Sequence, residues 1–147
     1  MHQKAWTAAT PAAAEPASDI TVSLFEYGFK VDGTLTPGAH TIKVMNVGAQ
    51  PHVMALLRSP NPVTKEQIGQ LLELDKTGGT PAPGANLPNP GDFTNAAYMG
   101  TLSTGATGWV PVNLEPGYYV LLCFIPDVQS GAPHAFMGMY DVVEVTG

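Results

Sequence analysis

The chain has one cysteine, Cys123, among its 147 residues, which excludes an internal disulfide and any disulfide scaffold. It is also poor in charge. Asp, Glu, Lys and Arg make up 12% of the residues, against about 25% in an ordinary soluble domain. The balance of 6 basic and 12 acidic residues gives a net charge of −6, which argues against nucleic acid and anionic membrane surfaces as partners. A basic partner is attracted, weakly at physiological salt. No apolar run reaches the roughly 20 residues that cross a bilayer, and Met1-His2-Gln3-Lys4 leads into no signal-peptide core. Phosphate loops, zinc spacings, a Ser-His-Asp arrangement and local carboxylate pairs are missing too, so the chain does not read as an enzyme.

Glycine and proline, at 16 and 14 residues, punctuate what is there. Residues 8–19, AATPAAAEPASD, are small and proline-broken, and cannot bury enough apolar area to fold alone. Residues 1–19 therefore read as a tether, of the kind that joins a domain to an export leader or a membrane anchor. A single domain over 20–147 follows. Ile20, Val22 and Leu24 alternate, as do Ile42 and Val44 after the Pro37-Gly38 turn. HVMALLR, WVPVNL, GYYVLLCF and YDVVEV continue the style, and six or so such strands predict an all-β antiparallel sandwich. Residues 58–106 break the rhythm as an insert. Thr64 and Gln67 have capping-box spacing, Ile68, Leu71 and Leu72 form a stripe, and Gly78-Gly79 ends a helix over about 65–76. A Gly/Pro-rich loop follows, and the whole insert reads as a crossover covering one side of the sandwich.

The stretch CFIPDVQSGAPHAFMGM, residues 123–139, gathers a thiol, an imidazole and two thioethers. Each has an ordinary reading alone: Cys123 as a small buried hydrophobe, His134 as a solvated loop residue, Met139 as core. Together, thiolate, imidazole and thioether are the donor set that suits copper in both its oxidation states. Such a set needs a second imidazole from among His2, His40 and His52. His40 reads as a surface residue and His2 as relevant only if processing exposed it. His52 stands in the better setting. It follows Pro51 as His134 follows Pro133, and both approaches are stiffened by the ring.

The segments TPGAHTIKVMNVGAQPH, 36–52, and LEPGYYVLLCFIPDVQSGAPHAFMGM, 114–139, resemble the cupredoxins, the small blue-copper proteins. The resemblance covers most of 20–147 outside the insert and implies a Greek-key β-sandwich. It also implies a type 1 copper held by His52, Cys123 and His134, with Met139 as the axial ligand. Met137 is the competitor at the axial position, and Gln50 a remote one. Two features depart from the pattern. Ten residues separate Cys123 from His134, an unusually long loop, and Val53 stands where many members have an asparagine that supports the thiolate.

What the resemblance implies about function is an electron carrier cycling Cu(I)/Cu(II) between redox partner proteins, as a monomer in the periplasm or outside the cell. The His134 imidazole would be the electron port, edge-on to solvent, ringed by Pro126, Val128, Ala132, Pro133, Ala135 and Phe136. The other readings are a copper-free sandwich serving as a structural or interaction module, and a copper storage or delivery protein.

Overall fold

The structure, a computed structural model, describes residues 14–147. His2 and the tether up to residue 13 lie outside the described residues. Eight strands run β1 Ile20–Phe25, β2 Gly28–Gly33, β3 Gly38–Asn46, β4 His52–Ser59, β5 Thr94–Leu102, β6 Thr107–Leu114, β7 Gly117–Leu122 and β8 Tyr140–Val145. One α-helix, α1, spans Lys65–Thr77 between β4 and β5. The strands form two four-stranded sheets, ordered β2-β1-β3-β6 and β5-β4-β7-β8, packed as a sandwich. Pairing is antiparallel except between β1 and β3, which run parallel with Val22 opposite Val44.

Alternation in β1 and β3 sends Ile20, Val22, Leu24, Ile42 and Val44 inward against Met54, Leu56, Tyr119 and Leu121 of the facing sheet. Burying side chains of this size stabilises by about 1.5–3 kcal/mol each. Strand β7 is apolar on both faces because both are covered. Tyr119 and Leu121 belong to the inter-sheet core, while Val120 and Leu122 pack with Ile68 under α1. The buried Tyr119 hydroxyl is bonded too, donating to the Glu115 carbonyl at 2.9 Å.

The capping box is present: Thr64 Oγ1 accepts from the Gln67 N–H at 3.1 Å, and Gln67 Oε1 accepts from the Thr64 N–H at 3.0 Å. Gly78 closes α1 in the left-handed region, at φ +70°. Two strands were not foreseen. The alternation of Ile20, Val22 and Leu24 marks β1 alone, and the chain then turns at Glu26-Tyr27 to pair β2 with it. Strand β5 falls inside 58–106, where glycine, alanine and threonine dilute its alternation. Pro111 is tolerated in β6 because that strand lies at a sheet edge.

His40, expected at the surface, is largely covered. Its Nδ1 meets Asp19 Oδ2 at 2.5 Å and its Nε2 meets the Thr36 carbonyl at 2.6 Å, leaving the side chain 7% exposed. The Asp19 carboxylate, with the Thr36 carbonyl behind it, raises the His40 pKa.

Candidate metal centre

Strand β4 begins at His52, and Cys123 directly follows β7, the neighbouring strand of the same sheet. The Cys123 N–H donates to the Met139 carbonyl at 3.3 Å, carrying the β7–β8 ladder one step further and setting these two residues side by side. His134 opens a short 3₁₀ turn, His134–Met137, whose end at Gly138 adopts φ +105°. That left-handed residue lets the chain double back, so the Met139 N–H reaches the His134 carbonyl at 3.0 Å.

The result is a tight, fully covered cluster. Cys123 Sγ lies 3.7 Å from His52 Nδ1 and 3.6 Å from His134 Nδ1. All three residues are completely buried, as is Met139. The imidazole rings stand 4.7 Å apart at 57°. A metal bonded at about 2.3 Å to sulfur and about 2.0 Å to nitrogen, with ligands opened to about 120°, sets S and N about 3.7 Å apart. The spacing fits a trigonal site.

Outer partners fix which nitrogen faces inward. His52 Nε2 lies 2.5 Å from Glu26 Oε2, and His134 Nε2 lies 2.9 Å from Gln50 Oε1. With each Nε2–H donated outward, both Nδ1 lone pairs point at the sulfur. Burial raises the Cys123 thiol pKa. A thiol has one proton to offer, so it can satisfy only one of two lone pairs. A cation satisfies both and releases that proton. The donor chemistry fits a metal, and thiolate with two imidazoles and a neighbouring thioether fits copper.

Several supporting residues gave no sequence signal. Glu26 holds His52 and also accepts from the backbone N–H groups of Ala49 at 2.7 Å and Gln50 at 3.2 Å. Its burial works against the charge, but the Ala49 N–H and the His52 imidazole outweigh it and lower its pKa. A Cβ on Gly48 would collide with that carboxylate, so a side chain there would push Glu26 aside. Buried Asn46 pins the β3–β4 loop by donating to the carbonyls of Gln50 at 2.8 Å and Leu102 at 2.9 Å. The asparagine missing at residue 53 is partly replaced by backbone, since the Val53 N–H donates to Cys123 Sγ at 3.4 Å.

The long Cys123–His134 loop is a closed structure. Pro126 bridges Pro133, and the His134 N–H donates to the Ile125 carbonyl at 2.9 Å. Asp127, 5% exposed, organises it. Its Oδ2 accepts from the N–H groups of Gln129 and Ser130 and from the Ser130 hydroxyl. Its Oδ1 accepts from the Tyr27 hydroxyl at 2.8 Å and the Gln50 amide at 2.9 Å. The Ser130 N–H, Gln50 and Tyr27 hold its carboxyl far below the usual range.

This closure corrects two expectations. The His134 edge is not open to solvent, because the imidazole is wholly buried behind Gln50 and Tyr27. Ala135 is buried and takes no part in a surface patch. Gln50 faces the outer nitrogen of His134, with its polar atoms engaged there and on Asp127 and Val128. Met137 is turned outward, 36% exposed, with its sulfur 3.7 Å from the Ser130 hydroxyl.

No family model and no curated protein matches the chain. Among solved structures it is similar to dithionite-reduced auracyanin from the photosynthetic bacterium Roseiflexus castenholzii, at 22% identity and TM-score 0.56, covering 90% of this chain and 100% of that one. It is also similar to auracyanin A, a "blue" copper protein from the green thermophilic photosynthetic bacterium Chloroflexus aurantiacus. There the identity is 20% and the TM-score 0.50, covering 87% of this chain and 99% of that one. The chain thus has the cupredoxin fold, with a His-Cys-His cluster at the end of one sheet beside the long loop.

Proposed function

We propose that this protein is a single-domain electron carrier whose type 1 copper is held by His52, Cys123 and His134, with Met139 as the axial ligand. The observation that carries the reading is the pair of inward Nδ1 atoms at 3.6 and 3.7 Å from one buried thiol. Bound copper would supply a one-electron Cu(I)/Cu(II) couple. The chain's own residues do the rest. Glu26 and Gln50 orient the two imidazoles, the Val53 N–H supports a thiolate on Cys123, and Asp127 keeps the ligand loop from rearranging. Met139 is preferred to Met137 because it is buried beside Cys123, while Met137 is exposed.

Retention in a closed site also separates this reading from copper delivery, which favours exposed, exchangeable sulfur. Among the described residues, this is the one group of three or more histidine, cysteine or carboxylate side chains placed to hold a metal. Redox partners, basic ones included, would dock on Phe124, Pro126 and Val128, exposed on the ligand loop. A chain of this kind works as a monomer in the periplasm or outside the cell.

The test is a Cu(II) titration followed by visible absorption and EPR, beside Cys123→Ser. The reading expects an intense visible band saturating at one copper per chain and absent from the variant. A wild type without that band, starting from reduced, metal-free protein, would leave the copper-free sandwich as the better account.

A further inference from the structure

Both imidazoles of the cluster are held from outside, but by different chemistry. His52 has the Glu26 carboxylate, whose side chain is 20% exposed. His134 has the neutral Gln50 carboxamide, and its side chain is 0% exposed. The orientation of that carboxamide is fixed by three partners. Its oxygen faces two donors, His134 Nε2 at 2.9 Å and the Val128 N–H at 3.1 Å. Its nitrogen donates to Asp127 Oδ1 at 2.9 Å, a contact that a flipped amide would lose. The Gln50 backbone is held as well, its N–H by Glu26 at 3.2 Å and its carbonyl by Asn46 at 2.8 Å. Tyr27 forms the other wall, its ring 5.6 Å from that of His134 and its hydroxyl on the same Asp127 oxygen.

We propose that Gln50 is a positioning residue for His134, locking the imidazole through Nε2 and sealing that edge from water and from docking proteins. The role in electron transfer rests on the copper reading above; the seal itself does not. A ring fixed at Nε2 and at its backbone N–H has little freedom to swing when the charge of the centre changes. A carboxamide does this without adding a second negative charge beside the ligand. The extra length of the Cys123–His134 loop is what makes the seal, because Asp127 and Val128 at its tip are the groups that hold Gln50. Electrons therefore enter and leave elsewhere, through the exposed part of the ligand loop that begins at Phe124.

The test follows the Nε2 protons of both imidazoles by ¹H–¹⁵N NMR in reduced, metal-free protein, for wild type, Gln50→Ala and Gln50→Met. In wild type the His134 Nε2–H is observable in water. Gln50→Ala exchanges it at least about tenfold faster, the factor that one hydrogen bond of ordinary net strength supplies. The His52 proton, still held by Glu26, keeps its rate. Gln50→Met retains the bulk and loses the acceptor, and it too accelerates exchange, which a steric plug would not do. An unobservable His134 Nε2–H in wild type would overturn the proposal, and so would equal acceleration at His52 and His134. The copper titration is read separately, so a missing visible band with a protected His134 proton strikes the carrier reading and leaves the seal standing.

Discussion

Residues 77–93 and residues 123–139 are both long, rich in glycine and proline, and almost free of regular structure, yet they are tied down by different means. The first lies over α1 and the outer face of β7. Its own Leu87 and Phe93 line an open groove together with Leu72 and Val120. Its directed contacts are few, with Gln67 Nε2 donating to the Asn86 carbonyl at 2.8 Å and Asn89 Oδ1 accepting from the Gly91 N–H at 2.9 Å. The second closes around one buried carboxylate, Asp127, whose two oxygens accept from five donors on three separate segments. Apolar contact is non-directional and holds a loop near a surface. A saturated carboxylate also fixes which atom faces which, because each donor is aimed at one of its two oxygens. The second kind of order is what a site with defined ligand geometry requires.

That contrast can be broken experimentally. The largest expected effect is from Asp127→Ala, which strands the Tyr27 hydroxyl, the Gln50 amide and the Ser130 donors together. It should lower the melting temperature more than any change below and collapse amide-exchange protection over residues 124–134 toward that of 77–93. Unchanged protection there would refute the contrast. Next is Asn46→Ala, which leaves the carbonyls of Gln50 and Leu102 and the Gly48 N–H without their partner. A loss of about 2–3 kcal/mol in denaturant unfolding is expected, with a broadened His52 signal. Thr64→Ala removes the α1 cap at a cost of about 1 kcal/mol. Its effect should stay within α1 and residues 77–93 and leave the ligand cluster untouched.

The smallest effect is pH-dependent and lies away from both loops, at Asp19 and His40. His40 has a pKa raised above the ordinary 6.5, so its contribution is complete below that value and lost as pH rises through the higher folded one. Asp19 has a pKa lowered from 3.8, so its contribution is present above that value and lost as pH falls through the lower folded one. Melting temperatures from about pH 5 to about pH 9 should decline for the wild type relative to His40→Ala. Parallel curves would show that the contact contributes nothing.

Much of the molecule was legible in advance, for identifiable reasons. Strands β1 and β3 announced themselves because one face of each is buried, and α1 because Thr64, Gln67 and Gly78 carry local cap chemistry. His52, Cys123, His134 and Met139 could be named as candidates because the chain has one cysteine and four histidines and the resemblance to the cupredoxins put them in order, and the fold brings the first three together. Strand β5 was missed because Asn95, Ala96 and Gly100 weaken its alternation. The layer outside the imidazoles was illegible for a different reason. Glu26, Gln50 and Asp127 are common polar residues separated by up to 101 positions, and only the fold brings them to the two Nε2 atoms. The expectation of an exposed His134 edge failed at that layer. A loop's length is visible in sequence, and the carboxylate that folds it back over its own ligand is not.

The most direct measurement is copper K-edge X-ray absorption on the copper-loaded protein, in both oxidation states, beside Cys123→Ser. The account predicts one short copper–sulfur path and two copper–nitrogen paths, nearly unchanged between the two states, with the sulfur path gone in the variant. Copper surrounded only by nitrogen and oxygen in the wild type, or a ligand shell that rearranges on reduction, would contradict it.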